Sequence, residues 1–548
     1  MVKRHRVRAH HRPPRPVGVW LIAAICLGIW GAYLPAAFRH LSPYSDDGAS
    51  YIEASHSLLA GRGLQVRTYD GLDPQLWQSL TLWPPGFPLA LAALQRAGLS
   101  EPHSWIVAPA GSMAASLVLV VWIASRFFTP AVSLAIALAT ALMPAFMTAT
   151  VLVMSDPLYL AVATGSIAYL IAWTLRPGPV AMWLVAAGLL AGLAWGIRYA
   201  AVALWTATAA WLLAHLLWTP WRQTLRNGFT WGAGLLLGAG PFMVRNLLTA
   251  GRITPYDMPP SELSVWDNVR ITAHAIVSDL FAWQTGADWL FRRVPLPILL
   301  AAAAAAIGWL WLRPVSIRQA RASLQRHRAP LLLALYLVTH LAVLIAARAK
   351  YHWGAMVDAR VILPVYWILW MGLAAAILTA ATRLRLGQRA GRVAVLAVFT
   401  ALIGLQARDW QDQLQFLRTT ISGASPQVIP YAFGSEVVRA LKEEIGPNQI
   451  VLSTRAFVLR IHANLNARQL LPAAKVDPSS LLTLDQLRQA GRSGLLWGII
   501  LDDLKRTRRG DFGALIQEMA EHPDRFPEFQ QVHPESPALI LRYTGSTT

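Results

Sequence analysis

Two adjacent carboxylates, Asp46 and Asp47, follow the first long apolar run and open the stretch SDDGASYIEASHSLLAGRGL at residues 45–64. If that run crosses a membrane, the pair sits at the membrane surface, where ionisable groups are candidates for function by default. One Asp also suits the N-cap of the segment that follows, where Tyr51, Ala54, Leu58 and Ile52, Ser55, Leu59 recur at helical spacing. That spacing, with Glu53 and His56 between, predicts an amphipathic helix lying along the membrane interface and ended by Gly61 and Gly63. More ionisable or phenolic groups stand at the ends of apolar runs: Asp156 in VMSDPLYL, Arg198 in GIRYA, Arg245 in PFMVRN, and Tyr351, Asp358 and Arg360 in YHWGAMVDARVILP. Charged groups there are costly unless paired or wetted, which makes each a candidate. Each also has an ordinary alternative: snorkelling for Arg198 and Arg245, an N-cap ahead of Pro157 for Asp156, and mutual pairing for Asp358 and Arg360. Gathered at one water-lipid boundary, these cations and carboxylates suit a phosphate-bearing amphiphile.

The elements that must position them are membrane helices. The 548 residues are 55% hydrophobic and only 14% charged, with a mean hydropathy of +0.42. That balance excludes an ordinary soluble protein. The net charge of +20 does not indicate nucleic acid, because the Arg clusters fall in short gaps between apolar runs, where the positive-inside rule puts them. The single Cys26 lies inside the first apolar run and allows no disulfide within the chain.

Apolar runs cover residues 17–38, 103–128, 131–151, 157–175, 180–197, 200–218, 229–248, 296–312, 329–347, 361–381 and 393–406, about eleven spans by length. Between the first two, Pro84, Pro85 and Pro88 suggest a re-entry into the membrane surface. With a cytoplasmic N-terminus, the gaps 313–328 and 383–392 fall inside, each carrying four or five Arg and no acid. The acidic loops and the C-terminus then fall outside. A reporter fused after Thr548 is therefore expected to be active only outside the cytoplasm, and activity confined to the cytoplasm would overturn the orientation.

From residue 408 the composition becomes that of a soluble α/β domain, giving a membrane region at 1–407 and an extracytoplasmic domain at 408–548. Helices are expected at 434–445, 483–490 and 512–520, and strands at 449–455, 495–501 and 537–543. There is no GxGxxG, no GxxxxGK[ST] and no GxSxG. His56, His103 and His352 lack HxxxH or HExxH spacing, so a divalent metal would rest on the carboxylates and its own waters, and the need for one stays open.

In order and type, these motifs resemble the GT-C glycosyltransferases that use polyprenyl-phosphate-linked sugars, in the branch with protein O-mannosyltransferases and lipid A aminoarabinose transferases. The resemblance rests on Asp46-Asp47, Tyr51, Gly61, the run Pro84-Pro85-Gly86-Phe87-Pro88, the acidic SDP at Asp156, Pro241 with Arg245-Asn246, and Arg360 with Pro364. It covers the membrane region nearly end to end. Two positions depart from it: the acidic pair is Asp-Asp rather than Asp-Glu, and Trp83 precedes the prolines where the family often has a basic residue.

The resemblance implies a multi-pass enzyme of the bacterial inner membrane that transfers a sugar from a polyprenyl-phosphate donor to an acceptor hydroxyl on a glycan, lipid or protein at the outer face. It implies Asp46 as the general base of an inverting transfer, with Asp47 and Asp156 supporting it. The Arg side chains, Arg198, Arg245 and Arg360, would hold the lipid phosphate, and Tyr351 joins them as a candidate on its place at the end of an apolar run on the same side. A transporter or flippase of lipid-linked amphiphiles would also need many spans and charged groups. Transporters, however, place such charges mid-membrane in matching halves, whereas these cluster at one face.

Overall fold

The computed structural model describes residues 16–40, 46–67, 72, 77–175, 181–255, 260–282, 284–294, 327–351, 359–422, 435–453, 456, 459–460, 464–469, 483–501, 514–534, 536 and 538–545. His352, Asp358, the apolar run 296–312 and most of the Arg-rich gap 313–328 lie outside the described residues, as does the side chain of Asp46.

The chain is a multi-pass helical membrane protein with a small sheet domain near its C-terminus. Helix α1 (Pro16–His40) leads into α2 (Asp46–Leu59), and a hairpin of β1 (Gln65–Arg67) and β2 (Trp77–Ser79) follows. Next come α3 (Gly86–Arg96), α4 (Glu101–Ala124), α5 (Pro130–Ala141), α6 (Pro144–Val151), α7 (Ser155–Leu175), α8 (Ala181–Ile197), α9 (Val202–Ala214) and α10 (Trp221–Ala250). The membrane region ends with α11 (Val265–Phe281), α12 (Gln284–Arg293), α13 (Arg328–Lys350), α14 (Ala359–Arg383) and α15 (Gly387–Ser422). Among the described residues, eight helices are long and apolar enough to cross a bilayer, or nine if α5 and α6, bent by 57° at their junction, form one span. The expected span at 180–197 is the shorter apolar helix α8.

One expectation for the first loop changes. Helix α2 does not have one apolar and one solvated face: Ala49, Ser50, Tyr51, Ile52, Glu53, Ala54, Ser55 and Ser57 are all buried within the protein. Its inner residues Tyr51 and Ile52 pack with Phe87, Leu91, Trp105 and Ala108 of α3 and α4, while Ala54 packs with Val66 and Leu80 around the hairpin. The proline-rich stretch starts α3, with Pro88 in the first turn, where its missing N–H has no helical partner to lose.

Helices α8 and α10 meet through small residues. A Cβ at Gly192 would fall 2.3 Å from the Leu235 carbonyl oxygen, and one at Gly238 would fall 2.3 Å from that of Leu189. Only glycine lets the two backbones approach this closely, and in lipid such contact is what holds helices together. The seam fixes the C-terminal end of α8, from which Arg198 projects.

The last membrane helix runs unbroken through residue 408, where the composition changes, to Ser422. The C-terminal elements are α16 (Ser435–Glu444), β3 (Ile450–Ser453), β4 (Ala467–Gln469), α17 (Leu484–Arg492), β5 (Leu496–Leu501), α18 (Ala514–Glu521), β6 (Phe529–Val532) and β7 (Leu539–Tyr543). The strands form one sheet in the order β4-β3-β5-β7-β6, with β3 parallel to β4 and β5, and β7 antiparallel to β5 and β6. The continuous apolar run of β5 is buried along its whole length, as a central strand requires. Strands β4 and β6 flank the sheet and were not apparent in the sequence.

Candidate functional site

Four of the charged residues singled out in the sequence converge. Asp47, in the first turn of α2, lies 3.5 Å from the Arg360 guanidinium at the start of α14. Asp156, in the first turn of α7, accepts a hydrogen bond of 2.8 Å from Arg198. Arg198 leaves α8 in an extended conformation (φ −148°, ψ 131°), which carries its side chain out of the helical path. Its Nη1 also reaches Ser155 Oγ at 3.2 Å, and Ser155 Oγ is in turn 3.1 Å from the Tyr51 hydroxyl. Two ion pairs are thereby joined through α2 and α7 into one polar cluster.

Neighbouring packing holds the cluster rigid. The Tyr51 ring meets Phe87 edge-on at 5.2 Å and Trp83 at 6.4 Å. Gly86, in the proline-rich element, abuts the end of α8 so closely that a Cβ there would sit 2.6 Å from the Gly196 carbonyl oxygen. The element therefore rests against the residues just before Arg198. Arg360 also touches the Met154 sulfur at 3.1 Å.

The electrostatics of Asp47 follow from this setting. Burial raises its pKa above that of an ordinary aspartate, the Arg360 and Arg198 charges pull it back down, and the Asp156 charge adds to the rise. The Tyr51 hydroxyl is pushed up by burial and by the Asp47 charge, so it is a neutral hydrogen-bonding group.

Beside the cluster lies a cavity of about 440 Å³ lined by the α5–α6 bend, Met154, Asp156, Asp279, Arg360 and Asp409, among others. Arg360 thus both pairs with Asp47 and lines the cavity. Asp279 accepts a hydrogen bond from the Tyr366 hydroxyl. Among the described residues, no group of three or more His, Cys, Asp or Glu side chains is arranged to hold a metal ion.

Two expected residues make other contacts. Arg245 donates to the Leu80 carbonyl at 2.6 Å and to Asn246 Oδ1 at 3.1 Å, next to the proline-rich element. Tyr351 pairs with Pro260 in an antiparallel bridge, and the Lys350 ammonium lies 5.0 Å from its ring centre.

No protein-family model and no curated protein matches the sequence. Solved structures do match. ArnT from Cupriavidus metallidurans in the apo state has a TM-score of 0.58 at 14% identity, over 95% of this chain and 97% of that one. ArnT from the same organism bound to undecaprenyl phosphate has a TM-score of 0.55 at 13% identity over the same shares. The chain has the fold of these ArnT structures. The expected fold class is thereby borne out, with a helical membrane region followed by an α/β domain. Coverage of 95% means that the ArnT likeness takes in both parts.

Within this ArnT fold, sequence reasoning missed Ser155, Asp279 and Asp409. Ser155 had a signal, since it adjoins Asp156 and a hydroxyl there can bridge two charged groups. Asp279 and Asp409 had a weaker one: each is an acid beside an apolar segment, the same criterion that selected Asp156.

Proposed function

We propose that this chain is a membrane glycosyltransferase that moves a sugar from a polyprenyl-phosphate-linked donor to an acceptor hydroxyl at the outer face of the membrane, with inversion at the anomeric carbon. The reading is carried by Arg360, which pairs with Asp47 of the acidic helix and lines the adjoining cavity. The ArnT fold supports it, and one of the similar ArnT structures is bound to undecaprenyl phosphate.

Asp46 is assigned as the base. It takes the acceptor's hydroxyl proton as that oxygen bonds to the anomeric carbon, while the bond from the same carbon to the phosphate oxygen breaks on the opposite face. The departing lipid phosphate carries the charge, which a guanidinium fork stabilises better than any neutral group. Arg360 is assigned to that phosphate. Arg198 reinforces the positive field from its bond with Asp156, Arg245 is assigned to the same phosphate on the family resemblance, and Tyr351 on its place at the end of an apolar run on the same side.

The test is binding of undecaprenyl phosphate by the purified full chain, followed by transfer from a panel of undecaprenyl-phosphate-linked sugars. Arg360→Lys keeps the charge and loses the fork, so binding is expected to weaken about tenfold, roughly the value of one charge-assisted hydrogen bond. Unchanged binding in the Lys variants of Arg198, Arg245 and Arg360 alike would remove the phosphate assignment.

A further inference from the structure

Glu53 is a carboxylate the proposed chemistry does not use. It lies on α2, six positions beyond Asp47, and is only 7% exposed. Its Oε1 is 3.1 Å from the Arg460 guanidinium and 3.7 Å from that of Arg67, and its Oε2 accepts the Arg67 backbone N–H at 3.3 Å. Arg67 closes β1 of the hairpin and reaches into the C-terminal domain, where Nη1 donates to the Leu465 carbonyl at 2.6 Å and Nη2 to Asn464 Oδ1. Arg460 belongs to the C-terminal domain and is itself 5% exposed.

One carboxylate therefore joins the acidic helix, the hairpin and the soluble domain. The domain side of the joint is stiff. Leu459 and Leu465, on either side of this contact, are part of the domain's apolar core, and the Leu465 N–H bonds to the Leu459 carbonyl. Asn464 adopts φ +54°, a left-handed turn that a short polar side chain tolerates. A second contact joins the same parts independently: Leu72, between β1 and β2, packs on the domain's other apolar cluster, the one that contains Leu487 and Ile499.

Buried charges are costly, and a surface domain could be attached through exposed contacts alone. Here the buried attachment falls on the short helix that carries Asp46 and Asp47. The membrane side holds the same helix through Tyr51 to Ser155 and Asp47 to Arg360. A helix of this length moves as one rigid body, so fixing its second turn fixes the direction of its first.

We infer that the C-terminal domain clamps α2 through Glu53, Arg460 and Arg67, and that Glu53 is a positioning residue setting where the acidic pair stands relative to the cavity. The inference rests on the proposed function only in taking α2 to carry the reacting group.

The test uses the full chain with Glu53→Gln, Arg460→Gln, the double variant and Glu53→Asp. Hydrogen exchange of the α2 amides is read together with turnover and with binding of undecaprenyl phosphate. The Gln variants are expected to exchange faster in α2 and to lose about tenfold to a hundredfold in turnover, the usual effect of a small misplacement, with undecaprenyl phosphate bound as in the parent. The double variant is expected to be no worse than the poorer single one, because both substitutions break the same link, and Glu53→Asp is expected to recover part of the loss. Unchanged α2 exchange in both single variants would overturn the clamp whatever reaction the protein performs. Faster exchange with unchanged turnover would overturn the positioning role. Failure of the parent chain to transfer any sugar would count against the proposed function, and the exchange readout would still decide the clamp.

Discussion

Asp46→Asn is expected to lower sugar transfer about a hundredfold to ten-thousandfold, the usual cost of losing a general base, while undecaprenyl phosphate still binds. The base must be an ionised carboxylate to accept the acceptor's proton. Asparagine keeps the size and the hydrogen bonding but cannot take that proton. Its neighbour is differently placed. Consecutive residues on a helix point about 100° apart, so only one of the two carboxylates can face the reacting carbon. Asp47 is the one engaged with Arg360. Asp47→Asn should therefore act through Arg360, with a smaller loss of turnover accompanied by altered phosphate binding. Near-normal transfer by Asp46→Asn together with an inactive Asp47→Asn would reverse the two roles. Normal transfer in both would remove the first-loop site.

What the sequence made legible was whatever depends on local pattern. Long apolar runs announced the membrane helices, and charges at their ends marked Asp156, Arg198 and Arg360 as candidates. Which charge pairs with which was not legible, because Asp156 and Arg198 are 42 residues apart and meet only when α7 and α8 fold side by side. Arg360 pairs on paper with nearby Asp358, which lies outside the described residues, and its meeting with Asp47 from the other end of the membrane region left no mark in the sequence. Helix α2 failed in the instructive direction. Its alternating polar residues read as a solvated face, yet Glu53 is covered by a domain some four hundred residues further on, and periodicity carries no information about such a partner. The end of α15 was missed for a different reason: hydropathy falls at residue 408, but the residues that follow still favour helix, so the membrane signal stops before the helix does. Strands β4 and β6 are only three and four residues long and leave too short a pattern to recognise.

The pair Asp156–Arg198 should have the largest effect on stability. Asp156 is 3% exposed and its partner's side chain 25%. Replacing one member leaves the other charge poorly compensated in a setting that excludes most water, a loss of about 3–5 kcal/mol where a pair is buried. Asp156→Asn is expected to fall at the lower end of that range, because Arg198 retains Ser155 and part of its surface reaches solvent. Arg198→Gln strands a more deeply buried carboxylate and should cost more. The double variant should cost less than the sum of the two, since each single change already breaks the same bond and the second removes the stranded charge. Thermal unfolding of the purified protein in detergent, followed for the four-member cycle, measures this coupling. Additive losses would mean that the two side chains are stabilised by different neighbours. Transfer lost in Asp156→Asn without a lowered Tm would instead give Asp156 a direct part in the chemistry, because a carboxylate that only holds Arg198 in place cannot be removed at no cost to the folded state.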